Sequence, residues 1–185
     1  MLNGNLYVPD AGGLNGGYSD AVLTTLSKIA KTNNVNTILV ESNMGGGMFA
    51  ELMKPFLMRY HPCEVKDVRN TKSKELRIID TLEPVMNSHR LIIDRKVVEK
   101  DYRSNPNEAP ERKLKLQLFY QMSRITRHRG SLVHDDILDA LSGAVAYWTD
   151  YMSADEDRNI RSRKDELLRV HLDNWGSLMN NSITQ

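Results

Sequence analysis

Asn36-Thr37-Ile38-Leu39-Val40-Glu41-Ser42-Asn43-Met44-Gly45-Gly46-Gly47 is the stretch on which the reading turns. Its first half is β-branched and apolar without alternation, the pattern of a strand covered on both faces. It reaches a carboxylate, Glu41, just before a glycine turn. Ligands and active sites in open α/β sheets gather at the carboxyl ends of the strands. A carboxylate there is costly unless it is paired or bound to a cation. The plain alternative is a strand-end Glu that emerges into water.

The flanking segments supply the other elements of such a sheet. Asn5 to Val8 reads as a short strand, and Ala11 to Gly17, with four glycines, as a loop. Ser19 or Asp20 is placed to cap a helix whose buried stripe is Val22, Leu23, Leu26, Ile29 and Ala30. After the glycine turn come a helix over about 48–60, a weaker strand at Cys63–Val68, a helix over about 72–87 and an extended piece at Leu91–Ile93. Residues 97–110 mix charge, Asn and Pro and read as irregular. Amphipathic spacing predicts one helix from Glu111 to about Thr126. Helices at about 135–151 and 154–170 follow, and the chain closes on a polar tail. Strands alternating with helices argue an α/β domain with a partly parallel sheet.

Size and composition bound the function. The 185 residues suit one domain of ordinary size, and 40% apolar with 26% charged residues describes a globular protein. One cysteine, Cys63, excludes an internal disulfide framework and any multi-cysteine zinc site. No apolar run is long enough for a membrane span, and the first residues lack the marks of a signal peptide, so a cytosolic protein is expected. The net charge of +1 hides opposed regions. Residues 59–77 carry six Lys/Arg against three acids, and residues 90–129 carry eleven against five. Residues 130–149 hold Asp135, Asp136 and Asp139 with no basic residue. A basic middle followed by an acid cluster suits a site that handles a polyanion through bound cations, although solvated helix faces look the same in charge alone.

The acid cluster carries the chemistry. On a helix Asp139 is an i,i+3 neighbour of Asp136 and an i,i+4 neighbour of Asp135, so it can share a face with either. The helix dipole accounts for Asp135 and Asp136 in the first turn. It does not account for Asp139, between Leu138 and Ala140 on an otherwise apolar helix. Clustered carboxylates are most simply explained by a divalent cation, and oxygen-only ligands favour Mg²⁺ or Mn²⁺. The glycine-rich segments 12–19 and 45–47 lack the Lys of a phosphate loop. His61 and Cys63 lie two residues apart with no third member evident, and the five histidines show no zinc spacing.

Ser19-Asp20-Ala21, the run Asn36 to Phe49 and His134-Asp135-Asp136-Ile137-Leu138-Asp139-Ala140-Leu141 together resemble the C-terminal nuclease domain of phage terminase large subunits, the T7-like podovirus type above all. The resemblance covers about residues 3–150. It implies an RNase H-like fold of the RuvC type, a mixed sheet flanked by helices, that cuts concatemeric double-stranded DNA during packaging. Glu41 matches the family's acid at the end of its second catalytic strand, and Asp136 and Asp139 match the acids of its last helix, with Asp135 able to substitute or assist. These residues would be the catalytic and metal-binding set, holding two Mg²⁺ or Mn²⁺ ions roughly 3.5–4 Å apart for phosphodiester hydrolysis. Lys66, Arg69, Lys72, Lys74 and Arg77 would hold the phosphate backbone without reading bases. Implied partners besides DNA are the portal or procapsid and the small terminase subunit, in the cytoplasm of the infected bacterium.

The family's first catalytic Asp, and two strands, lie upstream of the segment matching Asn3 to Gly13. The expected organisation is therefore an N-terminally incomplete nuclease domain at 1–150 and a polar helical extension at 151–185. A competing reading follows: a catalytically incomplete packaging module that docks on the portal or on a partner subunit.

Overall fold

A computed structural model describes the backbone of residues 4–41, 47–70 and 73–182, and the side chains of these except 153–160 and 170–182. The glycine turn at Ser42–Gly46 and Lys72 lie outside the described residues. The chain divides into two compact units, Met1–Ala146 and Tyr147–Gln185.

The architecture is α/β. The elements are β1 (Leu6–Val8), α1 (Asp20–Thr32), β2 (Thr37–Glu41), α2 (Met48–Tyr60), β3 (Glu64–Val68), α3 (Lys74–Asn87), β4 (Leu91–Ile93), α4 (Arg95–Arg103), α5 (Pro110–Lys115), α6 (Leu118–Arg124) and α7 (Asp136–Ser182). Among the described residues the strands pair two by two, β1 with β4 and β2 with β3, both parallel. In the second pair Thr37 lies opposite Glu64 and Glu41 opposite Val68. Parallel pairing brings both carboxyl ends to one edge, so Glu41 and the start of the β3–α3 connection are neighbours.

Leu23 and Ala30 of α1 pack with Met53 and Leu57 of α2, and Ile38, Cys63 and Val65 of the β2–β3 region close over them. Of the stripe expected from sequence, Leu23 and Ala30 are buried and Val22, Leu26 and Ile29 are half-buried; Ser27 joins the buried face and satisfies its hydroxyl on the Leu23 carbonyl at 2.9 Å. Fully burying a Leu such as Leu23 or Leu57 contributes about 1.5–3 kcal/mol. Gly47 opens α2 at φ 81°, a left-handed conformation that favours glycine, and a Cβ there would meet Asp67 Oδ2 at 3.3 Å.

Three local features differ from the sequence expectation. Residues 95–103 are helical, because Asp94 caps α4 by accepting the Lys96 N–H at 2.9 Å. The helix expected over 111–126 is two short ones. Gln117 adopts an extended conformation between them, and the buried Asp101 accepts the Leu118 and Phe119 N–H groups at 2.8 and 3.1 Å, which starts α6 anew. The helices expected at 135–151 and 154–170 form one element, α7, since no Pro or Gly interrupts 144–175. No helix among the described residues is long and apolar enough to cross a membrane.

Candidate metal centre

Three elements converge on one cluster of charge: the carboxyl end of β2, the first turn of α3 and the first turn of α7. Helix α7 buries Leu138, Leu141, Ser142 and Val145, a 3.6-residue stripe, and Asp139 falls on the same side at only 5% exposure. The start of α7 is fixed from two sides. The Leu138 N–H donates to Oε1 of the buried Gln121 on α6 at 3.1 Å. The Asp139 N–H donates to the Asp135 carbonyl at 2.8 Å, closing the first turn. In the loop before α7, the Gly130 N–H donates to the buried Glu75 of α3, so α3 also holds the approach to the acid cluster.

Helix α3 delivers two cations among the acids. Lys74 Nζ lies 2.8 Å from Asp135 Oδ1, 3.3 Å from Asp139 Oδ2 and 3.8 Å from Asp136 Oδ1. Arg77 Nη2 lies 2.8 Å from Asp139 Oδ1 and 3.8 Å from Glu41 Oε1. Asn70, just past β3, donates to Glu41 Oε1 at 3.1 Å. Four carboxylates therefore surround two cations. The two Asp139 oxygens are within ion-pair distance of these cations but lack hydrogen-bond geometry to any group among the described residues.

Burial pushes the Asp139 pKa above the ordinary aspartate range. The charges of Arg77 and Lys74 pull the other way without prevailing, and Glu41 adds to the rise. For Lys74 burial is the largest influence and lowers the value, yet the hydrogen bond to Asp135 and the charges of Asp139 and Asp135 leave it raised. The ammonium is thus held as a cation by the acids around it.

Of the residues singled out from sequence, Glu41 and Asp139 are brought together by the shared Arg77 guanidinium. Asp136 is not drawn in to the same degree: its side chain is 88% exposed. Asp135 is the more enclosed neighbour and lies closer to Lys74. Of the five basic residues expected on the phosphate backbone, Lys74 and Arg77 lie against the carboxylates. Lys66 lies 3.1 Å from Glu64, and Arg69 is exposed. Their i,i+3 spacing would put Lys74 and Arg77 on one helix face, but nothing local connects them with acids so distant in the chain. His61 and Cys63 are structural. The His61 ring Nε2 lies 2.8 Å from the Val35 carbonyl oxygen, and Cys63 packs on the core with its pKa raised by burial.

Among the described residues no three His, Cys, Asp or Glu side chains stand close enough to hold a metal ion by themselves. Two do share a setting suited to one. Glu41 and Asp139 offer oxygen donors to one neighbourhood, and both Asp139 oxygens are buried against the two cations. Mg²⁺ is commonly held by one or two carboxylates, its shell completed by waters and substrate phosphates. Carboxylate oxygens of this kind are the donors that a hard divalent cation takes.

Residues 1–91 match the family described as bacteriophage T7 terminase, ribonuclease H-like domain. The chain is 37% identical over 172 residues to the terminase large subunit of Enterobacteria phage T3, covering 93% of this chain and 29% of that relative. The chain thus spans less than a third of the length of that relative. Residues 1–91 thus carry the ribonuclease H-like domain of the T7-type terminases, and the fold is ribonuclease H-like.

Proposed function

We propose that the chain is the metal-dependent endonuclease part of a DNA-packaging terminase, cutting concatemeric double-stranded DNA in the cytoplasm of an infected bacterium. The observation that carries this reading is the meeting of Glu41 and the buried Asp139 at one guanidinium, at the carboxyl edge of a parallel strand pair. Glu41 and Asp139 would hold the divalent ions, with Asp135 or Asp136 assisting. Bound Mg²⁺ or Mn²⁺ supplies activation of the attacking water and stabilisation of the leaving 3′ oxygen. Arg77 orients both carboxylates, and Asn70 fixes Glu41 by donating to Oε1. The domain would span 1–150, and the extension 151–185 would meet the portal or the small terminase subunit.

The DNA backbone is assigned to Arg69 and to four cations of the neighbouring helices for which no ion pair is found among the described residues, Arg103 of α4, Lys113 and Lys115 of α5 and Arg124 of α6. Helix α6 is joined to the site by Gln121, and Lys113 lies 5.6 Å from the exposed Tyr102 ring. Such cations hold phosphates without reading sequence.

The test is Mn²⁺-dependent nicking of supercoiled plasmid by the purified chain. Glu41→Ala and Asp139→Ala should each abolish it, and equal cleavage by wild type and Asp139→Ala would remove Asp139 from the mechanism. A second reading, a non-catalytic packaging module, is favoured by the two cations that already neutralise the acids. It predicts no nicking and no saturable Mn²⁺ binding.

A further inference from the structure

The placement of Lys74 goes against local electrostatics. It is the first residue of α3, where the positive end of the helix dipole disfavours a cation. It stays there because the carboxylates of Asp136 and Asp139 of α7 and of Asp135 just before it lie within 4 Å of its ammonium. Each Asp139 oxygen faces one cation, Oδ1 facing Arg77 and Oδ2 facing Lys74.

We propose that Lys74 and a divalent ion compete for the carboxylates of Asp139 and Asp135, so that metal binds by displacing the Lys74 ammonium and leaving Arg77 in place. This rests on the metal-dependent reading above and adds the residue that sets its metal affinity. The reason is distance. Mg²⁺ binds oxygen at about 2.0–2.1 Å. An ion at Asp139 Oδ2 would lie close to an ammonium that sits 3.3 Å from the same atom, and the two like charges would repel strongly in a half-buried site. Of the two cations Lys74 is the one able to leave. Its side chain is 37% exposed on a flexible stem, so it can swing into water. The Arg77 side chain is 15% exposed and bridges Glu41 and Asp139, so it has far less room to swing into water. Lys74 is therefore a positioning residue that holds the acids together until metal replaces it.

The experiment is calorimetric titration of the full 185-residue chain with MnCl₂, in wild type, Lys74→Met, Lys74→Gln and Lys74→Arg, beside melting curves in EDTA and in saturating Mn²⁺. Removing the competing charge should tighten Mn²⁺ binding about tenfold in both Lys74→Met and Lys74→Gln. Lys74→Arg, which keeps the charge, should stay within about threefold of wild type. In EDTA the neutral variants should melt below wild type, and saturating Mn²⁺ should erase that difference. Binding to wild type together with equal or weaker binding to both neutral variants would overturn the competition while leaving the metal site intact. Absence of Mn²⁺ binding in every variant would overturn the metal reading itself and the competition with it.

Discussion

Replacing Asp139 with asparagine should destroy nuclease activity and yet leave the protein more stable in chelator. Asp139 is 5% exposed, and its oxygens face Arg77 and Lys74 without hydrogen-bond geometry. Burial lifts its pKa despite those two cations, so the folded state disfavours the ionised form relative to water. For a carboxylate whose folded pKa is raised, the native state holds the proton more tightly than the unfolded chain. Ionised Asp139 therefore subtracts stability above its folded pKa, and the loss disappears as pH falls through that value. Asparagine keeps the shape without the charge, leaving three carboxylates around two cations. Removing one partner of a buried pair costs about 3–5 kcal/mol where the other charge is left unpaired, but here Lys74 keeps Asp135 and Arg77 keeps Glu41, so relief of the buried Asp139 charge sets the sign, a gain on the order of 1 kcal/mol. For a chain of this size that corresponds to a rise of about 2–4 °C in Tm. The assay is calorimetric melting at neutral pH and low salt in EDTA, repeated toward acid, where the difference between variant and wild type should shrink. A fall of more than about 2 °C at neutral pH would show that the ion pairs outweigh the burial cost, and the reasoning would fail.

Other outcomes follow from the supports of the site. The Gly130 N–H, more than any other partner, holds the Glu75 carboxyl below the ordinary glutamate range. The stability it contributes is present above about pH 4.3 and is lost as pH falls through the depressed value, so Glu75→Gln should flatten the acid limb of the stability curve. Gln121→Leu leaves the Leu138 N–H and the Lys115 carbonyl unpartnered beside the core and should cost about 1–3 kcal/mol in urea unfolding. A cost below about 0.5 kcal/mol would mean that α6 does not anchor the start of α7. Arg103→Glu with Lys113→Glu should weaken DNA binding and lower the slope of log affinity against log salt by about 0.9 for each phosphate that the variant no longer neutralises. An unchanged slope would move the DNA to another face. Ile78→Ala, at a fully buried position of α3, should destabilise by about 2–5 kcal/mol and loosen the helix that carries Lys74 and Arg77.

Much of the layout was legible because its signals are local. The apolar run before Glu41, the stripe of α1 and the acids in the first turn of α7 are patterns within a few residues of one another. The burial of Asp139 was foreshadowed by Leu138 and Ala140 beside it, since an acid on an apolar face has few places to go. The break between α5 and α6 was not legible. It depends on Asp101, 17 residues upstream, capping Leu118. Nor did spacing alone separate Asp135 from Asp136, because both reach Asp139 on a helix.

By itself the sequence determined the kinds of groups in play and the elements that hold them: a carboxylate ending a strand, acids opening a helix, and cations in between. These follow from backbone periodicity and side-chain chemistry over short spans. Only the tertiary structure decided which of them share space. Lys74 and Asp135 stand 61 residues apart, yet the ammonium lies 2.8 Å from the carboxylate. That pairing comes from α3 and α7 being anchored by Glu75 and Gln121. It makes Lys74 and Arg77 counter-ions of the acid cluster, because opposite charges interact more strongly in a half-buried site than in water.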